Sequence, residues 1–235
     1  MQLFYNPDIT ANSPEFSFDR DESRHIVKVL RKSVGDSVYV TDGKGAVFHT
    51  EIISAAEHRC TVRIVGTTLE PRSDFELHVA VAPTKMIDRF EWFLEKATEL
   101  GATRITPLIC DRSERKTLKT ERLEKIVQSA MKQSLRAWLP VLDQPMAFGD
   151  FIGLQTKGIK LILHCEENDR KSLKSVLKPG LDVVFLIGPE GDFTSKEINK
   201  ALEKGYIAAT LGTNRLRTET AAVAAVHAAT FINEP

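Results

Sequence analysis

Apolar and polar positions along this chain follow two regimes. Up to about residue 70 they alternate in short runs: Leu3-Phe4-Tyr5 before Asn6-Pro7, Glu15-Phe16-Ser17-Phe18, Val38-Tyr39-Val40, Val47-Phe48 and Thr61-Val62-Arg63-Ile64-Val65. Period-two alternation bounded by turn residues predicts half-buried strands. Asp42-Gly43-Lys44-Gly45 between two of these runs predicts a hairpin. One helical pattern interrupts them, Ser23 to Arg31, with His25, Ile26, Val29 and Leu30 at helical spacing. So many short strands predict a small β-barrel.

Gly66 to Asp74 contains Pro71, Arg72 and Ser73 and reads as a linker, giving domains at 1–70 and 74–235. Beyond it, strand and helix patterns alternate. Strands are predicted over Leu77–Ala82, Arg104–Ile109, Leu161–Cys165, Val183–Ile187 and Tyr206–Leu211. One helix carries a stripe of Phe90, Phe93, Leu94, Ala97 and Leu100 and stops at Gly101. A second carries Leu123, Ile126, Val127, Ala130 and Met131, ending before Pro140. Thr194 and Glu197 are spaced to cap a third helix reciprocally, and it stops at Gly205. An Ala/Val-rich helix runs to Phe231, apolar on most faces. This alternation predicts an α/β domain: a parallel sheet with helices on both faces.

Ligands of parallel sheets bind beyond the carboxyl ends of the strands. Two glycine loops follow consecutive strands there: Gly188-Pro189-Glu190-Gly191 and Gly212-Thr213-Asn214-Arg215-Leu216-Arg217. Glycine lets backbone groups approach a ligand without an intervening Cβ.

Composition adds limits. Hydrophobic residues at 42% and charged residues at 27% are ordinary for a soluble globular protein. The 32 basic and 32 acidic residues cancel, so any case for nucleic acid must be local. Arg20, Arg24, Lys28, Arg31 and Lys32 form one basic cluster, four of them close to one face of the predicted helix. Asp111 to Arg136 holds eight basic against four acidic side chains, and its first part follows a strand end. Cys60, Cys110 and Cys165 lack paired or metal-type spacing, which fits reduced thiols and no metal. The N-terminus shows no basic-then-apolar leader, and no apolar run nears roughly 18 residues, so a cytoplasmic protein is expected.

Ile187-Gly188-Pro189-Glu190-Gly191 and Leu211-Gly212-Thr213-Asn214-Arg215-Leu216-Arg217-Thr218-Glu219-Thr220-Ala221 together resemble the paired signatures of the RsmE family. Lys96-Ala97-Thr98-Glu99-Leu100-Gly101, Gln133-Ser134-x-Arg136 with Pro140, and Arg24-His25-x-x-x-Val29-Leu30-Arg31 extend the likeness over nearly the whole chain, in the family's order. Three positions depart from it. Asp192 stands where a second glycine often follows Glu190-Gly191, Arg215 where an aliphatic is usual, and Lys132 where glutamate is common.

The resemblance implies a uridine-N3 methyltransferase of 16S ribosomal RNA, of the SPOUT superfamily, using S-adenosylmethionine. It implies a C-terminal SPOUT-type sheet with a trefoil knot, a PUA-like or OB-like N-terminal RNA-binding domain, and a homodimer. Carried onto this sequence, the cofactor would meet Leu163, Ile187, Gly188, Pro189, Glu190, Gly191, Leu211, Gly212, Leu216, Thr220 and Ala221. Arg24, His25, Arg31, Arg112 and Arg136 would meet RNA. Arg217 would stabilise the developing uridine anion. Glu219 would accept the N3 proton, hold Arg217, or simply favour a helix start. His227 reads as a packed histidine of the last helix. Two rivals stay open on residues alone: methylation of another RNA atom, such as a transfer-RNA ribose 2′-oxygen, and RNA binding without catalysis.

Overall fold

Residues 2–166 and 169–234 are described in the computed structural model, and they divide into two units. The first unit runs to Arg72 and also takes in Met131–Leu139; the second holds Ser73–Ala130 and the chain from Pro140.

The first unit is built on β1 (Leu3–Tyr5), β2 (Glu15–Ser17), α1 (Arg20–Arg24), a π-turn (His25–Val29), β3 (Ser37–Thr41), β4 (Ala46–Ala56) and β5 (Arg59–Leu69). The strands form one sheet in the order β1-β3-β4-β5-β2, antiparallel except for β1 with β3. β4 and β5 are far longer than the alternation predicted, and Gly66–Leu69 lie in β5, not in a linker. Polar side chains hid the pattern. Thr50 is buried in β4 because its hydroxyl donates to the Val38 carbonyl at 2.9 Å. Register shifts at His49/Thr50 and Ile52/Ser54 bend the sheet. Phe4 on β1 and Phe18 just past β2 come from opposite ends of the strand order. Their rings lie 5.2 Å apart, which is the curl of a small barrel around Ile26, Val40, Phe48 and Ile52.

The predicted helix Ser23–Arg31 needs correction. Asp19 caps α1 by accepting from the Glu22 amide at 2.8 Å, so the helix starts at Arg20. The Leu30 amide then donates to the His25 carbonyl at 2.9 Å, a five-residue step that widens the turn. Arg31 follows with φ 54°. The wide turn and the left-handed residue take Arg31 and Lys32 out of α-helical register with Arg24 and Lys28, so the single basic face is not formed. The returning segment 131–139 is tied in by Trp138 Nε1 to the Glu70 carbonyl at 3.0 Å and by the Thr41 hydroxyl to the Ala137 carbonyl at 3.0 Å. Lys132 pairs with Glu22 at 2.8 Å, a local reason for a cation at that position.

In the second unit, β6 (Leu77–Val81), β7 (Arg104–Ile109), β8 (Val141–Leu142), β9 (Met146–Ala147), β10 (Ile159–Leu163), β11 (Lys171–Ser172), β12 (Val183–Ile187) and β13 (Ile207–Thr210) make a wholly parallel sheet. Its order is β11-β13-β10-β12-β6-β7-β8, with β9 also on β7. The helices are α2 (Ile87–Leu100), α3 (Thr120–Gln133, its last residues counting with the first unit), α4 (Phe148–Gly153), α5 (Leu173–Val176), α6 (Ser195–Glu203) and α7 (Thr218–Phe231). α2 stops at Gly101 with φ 100°, the left-handed cap its glycine predicts. The two-residue strands, with α4 and α5, are too short to leave a period and were not foreseen.

Ala80, Ile162, Val184 and Leu186 pack on one face of the sheet against Phe148, Phe151, Phe193 and Ile198 of α4, α6 and the loop before α6. The alternate residues Val79, Val81, Phe185 and Ile187 point to the opposite face, where α7 packs on β6 and β12 and α2 packs on α7. Ala222, Ala225 and Ala229 are buried, and their small side chains let α7 approach closely. No helix among the described residues is long and apolar enough to cross a membrane.

One buried polar cluster gives a pH signature. The His78 ring bonds the Thr106 hydroxyl at 2.7 Å, Thr106 donates to Asp143, and Arg104 clamps Asp143 at 2.8 and 2.9 Å. Burial, then the nearby Arg104 cation, push the His78 pKa down to about 4. An unfolded His78 takes up its proton near pH 6.5 but the folded one only near 4. The unfolded chain therefore binds more protons in that window, and stability must fall as pH drops through it, by about 3 kcal/mol in total from this group. Urea unfolding at pH 7 and pH 4.5 should show a smaller loss for His78→Asn than for the wild type. Equal losses would mean that His78 is not held neutral.

Candidate active site

Leu163 of β10 is level with Ile187 of β12 on one side and with Ala209 of β13 on the other. Three neighbouring parallel strands therefore release their chains at one height. The segments that follow enclose a cleft of about 660 Å³, within the usual range for small-molecule sites. Of the cofactor residues expected from the sequence, Leu163, Ile187, Gly188, Pro189, Glu190, Leu211, Gly212, Leu216 and Ala221 line it. Gly191 and Thr220 do not. The Gly191 carbonyl instead accepts from Arg112, and Thr220 lines a neighbouring cavity.

Side chains from several elements fix the first loop. A Cβ at Gly188 would lie 3.1 Å from the Phe193 ring and amide, so only glycine passes there without displacement. The Glu190 carboxylate accepts from the Lys85 amide at 2.9 Å. Arg112 Nη1 donates to the carbonyls of Gly191 at 2.8 Å and Phe193 at 3.2 Å. Arg115 similarly reaches the Lys85 carbonyl at 2.8 Å. The predicted reciprocal cap is present: Thr194 N donates to Glu197 at 2.8 Å, and Glu197 N to the Thr194 hydroxyl at 3.2 Å. The buried Glu197 also accepts from the Asp111 amide at 2.9 Å.

The other expected groups are distributed unevenly. Arg217, exposed, lines the cleft and also a second cavity of about 670 Å³ bounded by Asp88, Arg89, Trp92, Glu219 and Thr220. Glu219 lines only that second cavity. It is 7% exposed, its Oε1 lies 3.8 Å from Arg89, and its Oε2 has no hydrogen-bond partner among the described residues. Arg24 lies in a recess of the first unit with Arg20 and Lys28, while His25 is half-buried with its ring edge-on to Phe4. Arg31 is exposed and Arg136 half-buried, both in the first unit. His227, expected to be packed, is exposed beside Phe231.

Sequence reasoning missed His164, Cys165, Arg170 and Asp192, all of which line the cleft. The apolar run that predicted a strand through Cys165 concealed the first two, because β10 ends at Leu163. The rule that ligands meet strand ends would have found them once β10 was known to lie between β12 and β13. The cleft suits S-adenosylmethionine. Leu163, Ile187, Leu211 and Ala221 give apolar walls, Gly188 and Gly212 leave the backbone open, and both ring nitrogens of the buried His164 lack partners among the described residues. An orphaned buried imidazole on the wall calls for a polar ligand.

Residues 71–230 match a family model described as an RNA methyltransferase domain, and residues 18–65 match an RNA methyltransferase PUA domain. The ribosomal RNA small subunit methyltransferase E of Rickettsia conorii is 30% identical over 232 residues, 96% of this chain and 93% of that protein.

This chain belongs to the RsmE family.

Among solved structures, a probable rRNA-methyltransferase from Porphyromonas gingivalis is 37% identical, with a TM-score of 0.92 over 99% of this chain and 98% of that one. The Neisseria gonorrhoeae ribosomal RNA small subunit methyltransferase E bound to S-adenosylmethionine is 30% identical, with a TM-score of 0.89 over the same shares. The departure of Asp192 from the RsmE pattern now has a physical reading. Its φ is 62°, a conformation that favours glycine, with aspartate among the tolerated residues. Its carboxylate offsets the strain by accepting from the Cys165 amide at 2.7 Å and the Phe193 amide at 2.8 Å. Asp192→Ala keeps the strain and loses both bonds, so it should destabilise by about 2 kcal/mol, whereas Asp192→Gly should cost under half of that. Equal urea midpoints for the two variants would contradict this account of the loop.

Proposed function

We propose that this RsmE-family chain methylates N3 of a uridine in small-subunit (16S) ribosomal RNA, using S-adenosylmethionine. The observation that carries the reading is the position of Arg217 and Leu216 in the wall common to the cleft and the Trp92 cavity. A donor in one and an acceptor base in the other would meet at that wall. When bound, S-adenosylmethionine supplies a methyl group on a sulfonium, which needs no metal activation. The task of the chain is alignment, and holding donor and acceptor together removes much of the entropic barrier.

In this reading the glycine loops present backbone groups to the adenosine, between the apolar walls. The Arg217 guanidinium stands by the acceptor, where it interacts weakly with neutral uracil and strongly with the anion-like transition state. Glu219 Oε2 is the acceptor available for the N3 proton. Glu219 Oε1 also lies 3.8 Å from Arg89. Arg24, His25, Arg31 and Arg136 of the first unit supply RNA contacts, with a salt-sensitive phosphate component. Arg112, tied to the first loop through Nη1, would reach a phosphate only with its remaining donors.

The reading extends to a cytoplasmic homodimer with a trefoil-knotted second unit acting on the assembled small subunit. Exposed Met86, Trp92 and Phe231 on and beside α2 and α7 support a partner on that face. Sedimentation at micromolar concentration should give a dimer, and an active monomer would remove this part.

Methyl transfer to bulk ribosomal RNA, followed by nucleoside analysis, tests the reaction. N3-methyluridine is expected; a 2′-O-methyl product, or no transfer despite cofactor binding, would overturn it. In the same assay Arg217→Ala should lower kcat and kcat/KM together by about a hundredfold. Arg217→Lys should recover only part, because a point charge cannot reproduce the planar fork of donors. Replacing Arg24 and Arg31 together with alanine should raise KM for RNA and leave cofactor affinity unchanged.

A further inference from the structure

His164 is the first residue beyond β10, and it is only 5% exposed. Polar groups beside it are engaged. Its own carbonyl accepts from Arg170 Nη1 at 2.7 Å. The next amide, that of Cys165, goes to Asp192, whose second oxygen takes the Phe193 amide. The ring itself is left over, with neither nitrogen hydrogen-bonded to any described residue. The contrast with His78 is informative. That ring is equally buried, and the fold gives it the Thr106 hydroxyl. An imidazole kept from water with no partner is unfavourable unless something else completes it. His164 lines the cleft, so a ligand there can do so.

Resting on the cofactor assignment above, we infer that His164 is a cofactor-binding residue, its imidazole hydrogen-bonding S-adenosylmethionine from the β10 end of the cleft. The charge state of the ring then affects which form of the cofactor is held. Burial chiefly, and the Arg170 cation next to it, lower the His164 pKa, against the opposing pull of Asp192 and Glu166. Glu190 and Arg217 are the other charged groups of the same cleft besides Arg215. The ring is thus neutral at pH 7 and gains its proton below the ordinary imidazole range. A protonated ring repels the sulfonium of S-adenosylmethionine but has no such conflict with the neutral thioether of S-adenosylhomocysteine. Acidification should therefore erode the preference for the methyl donor over its demethylated product.

The test is calorimetric titration of the full chain with each of the two compounds, from about pH 8 to about pH 5.5. The wild type should lose more affinity for S-adenosylmethionine than for S-adenosylhomocysteine as the pH falls. His164→Asn, which keeps a donor and an acceptor but does not titrate, should hold the ratio constant. His164→Ala should bind both compounds about tenfold more weakly at pH 8, the effect of one lost hydrogen bond. A second readout is independent of affinity. In the nitrogen-15 spectrum of histidine-labelled protein, the ring resonance missing from His164→Asn should shift when S-adenosylhomocysteine is added to the wild type. Should His164→Ala fail to fold, the wild-type titration and spectrum still decide. A constant wild-type ratio with an unmoved ring resonance, while both compounds bind, would overturn the role of His164 and leave the cofactor assignment standing. If neither compound binds at pH 8, both fall together.

Discussion

The level ending of β10, β12 and β13 is the constraint on which the rest of the site depends. Leu163, Ile187 and Ala209 stand side by side in adjacent parallel strands, so the three following segments must turn at the same edge. A parallel sheet with both faces covered leaves ligands only its ends. α4 and α6 take one face and α7 the other, and the cleft is what remains at the carboxyl edge. The loops there are not held by their own sequence alone. Asp192 ties the β12 loop to the β10 exit, Arg112 grips two of its carbonyls, and Glu190 and Glu197 anchor it to Lys85 and Asp111. Each such bond contributes on the order of 1 kcal/mol. Together they fix the loop before any ligand arrives, which lessens the ordering that binding must impose.

Charge in this protein is applied locally. The basic loop after β7 looked from its sequence like a surface for phosphates. Two of its arginines, Arg112 and Arg115, also donate to backbone carbonyls of the ligand edge. Arginine suits that role because its planar fork can satisfy more than one carbonyl at once. Lys132 likewise answers Glu22 inside the first unit. Arg217 differs, being exposed at the boundary of two cavities, and a cation so placed remains available to a reacting anion.

How much of this was legible in the sequence depended on whether one physical signal dominated. Val183–Ile187 is buried along its whole length and flanked by glycine and proline, and its bounds were read correctly. Gly101 and the Thr194–Glu197 pair marked helix ends because capping is a local matter. Where tertiary partners decide, the pattern misled. Thr50 is buried on a hydroxyl bond that no alternation records, the π-turn at His25 shifts register without changing composition, and His164-Cys165 continue an apolar run although the strand has ended. Residues 131–139 join the first unit through Trp138 and Ala137, contacts invisible from a helix pattern. Three roles stayed open for Glu219 from its motif, and the fold adds a contact none of them named, with Arg89 on α2.

The central claim is that one cleft, made where three strand ends meet, holds the methyl donor. Amide hydrogen exchange with and without S-adenosylhomocysteine tests it most directly, because it reads each segment separately. The account predicts slowed exchange in three stretches at once, 163–166, 187–193 and 211–218, with the amides of β4 and β5 unchanged. Protection confined to a single loop, or appearing only in the first unit, would contradict it.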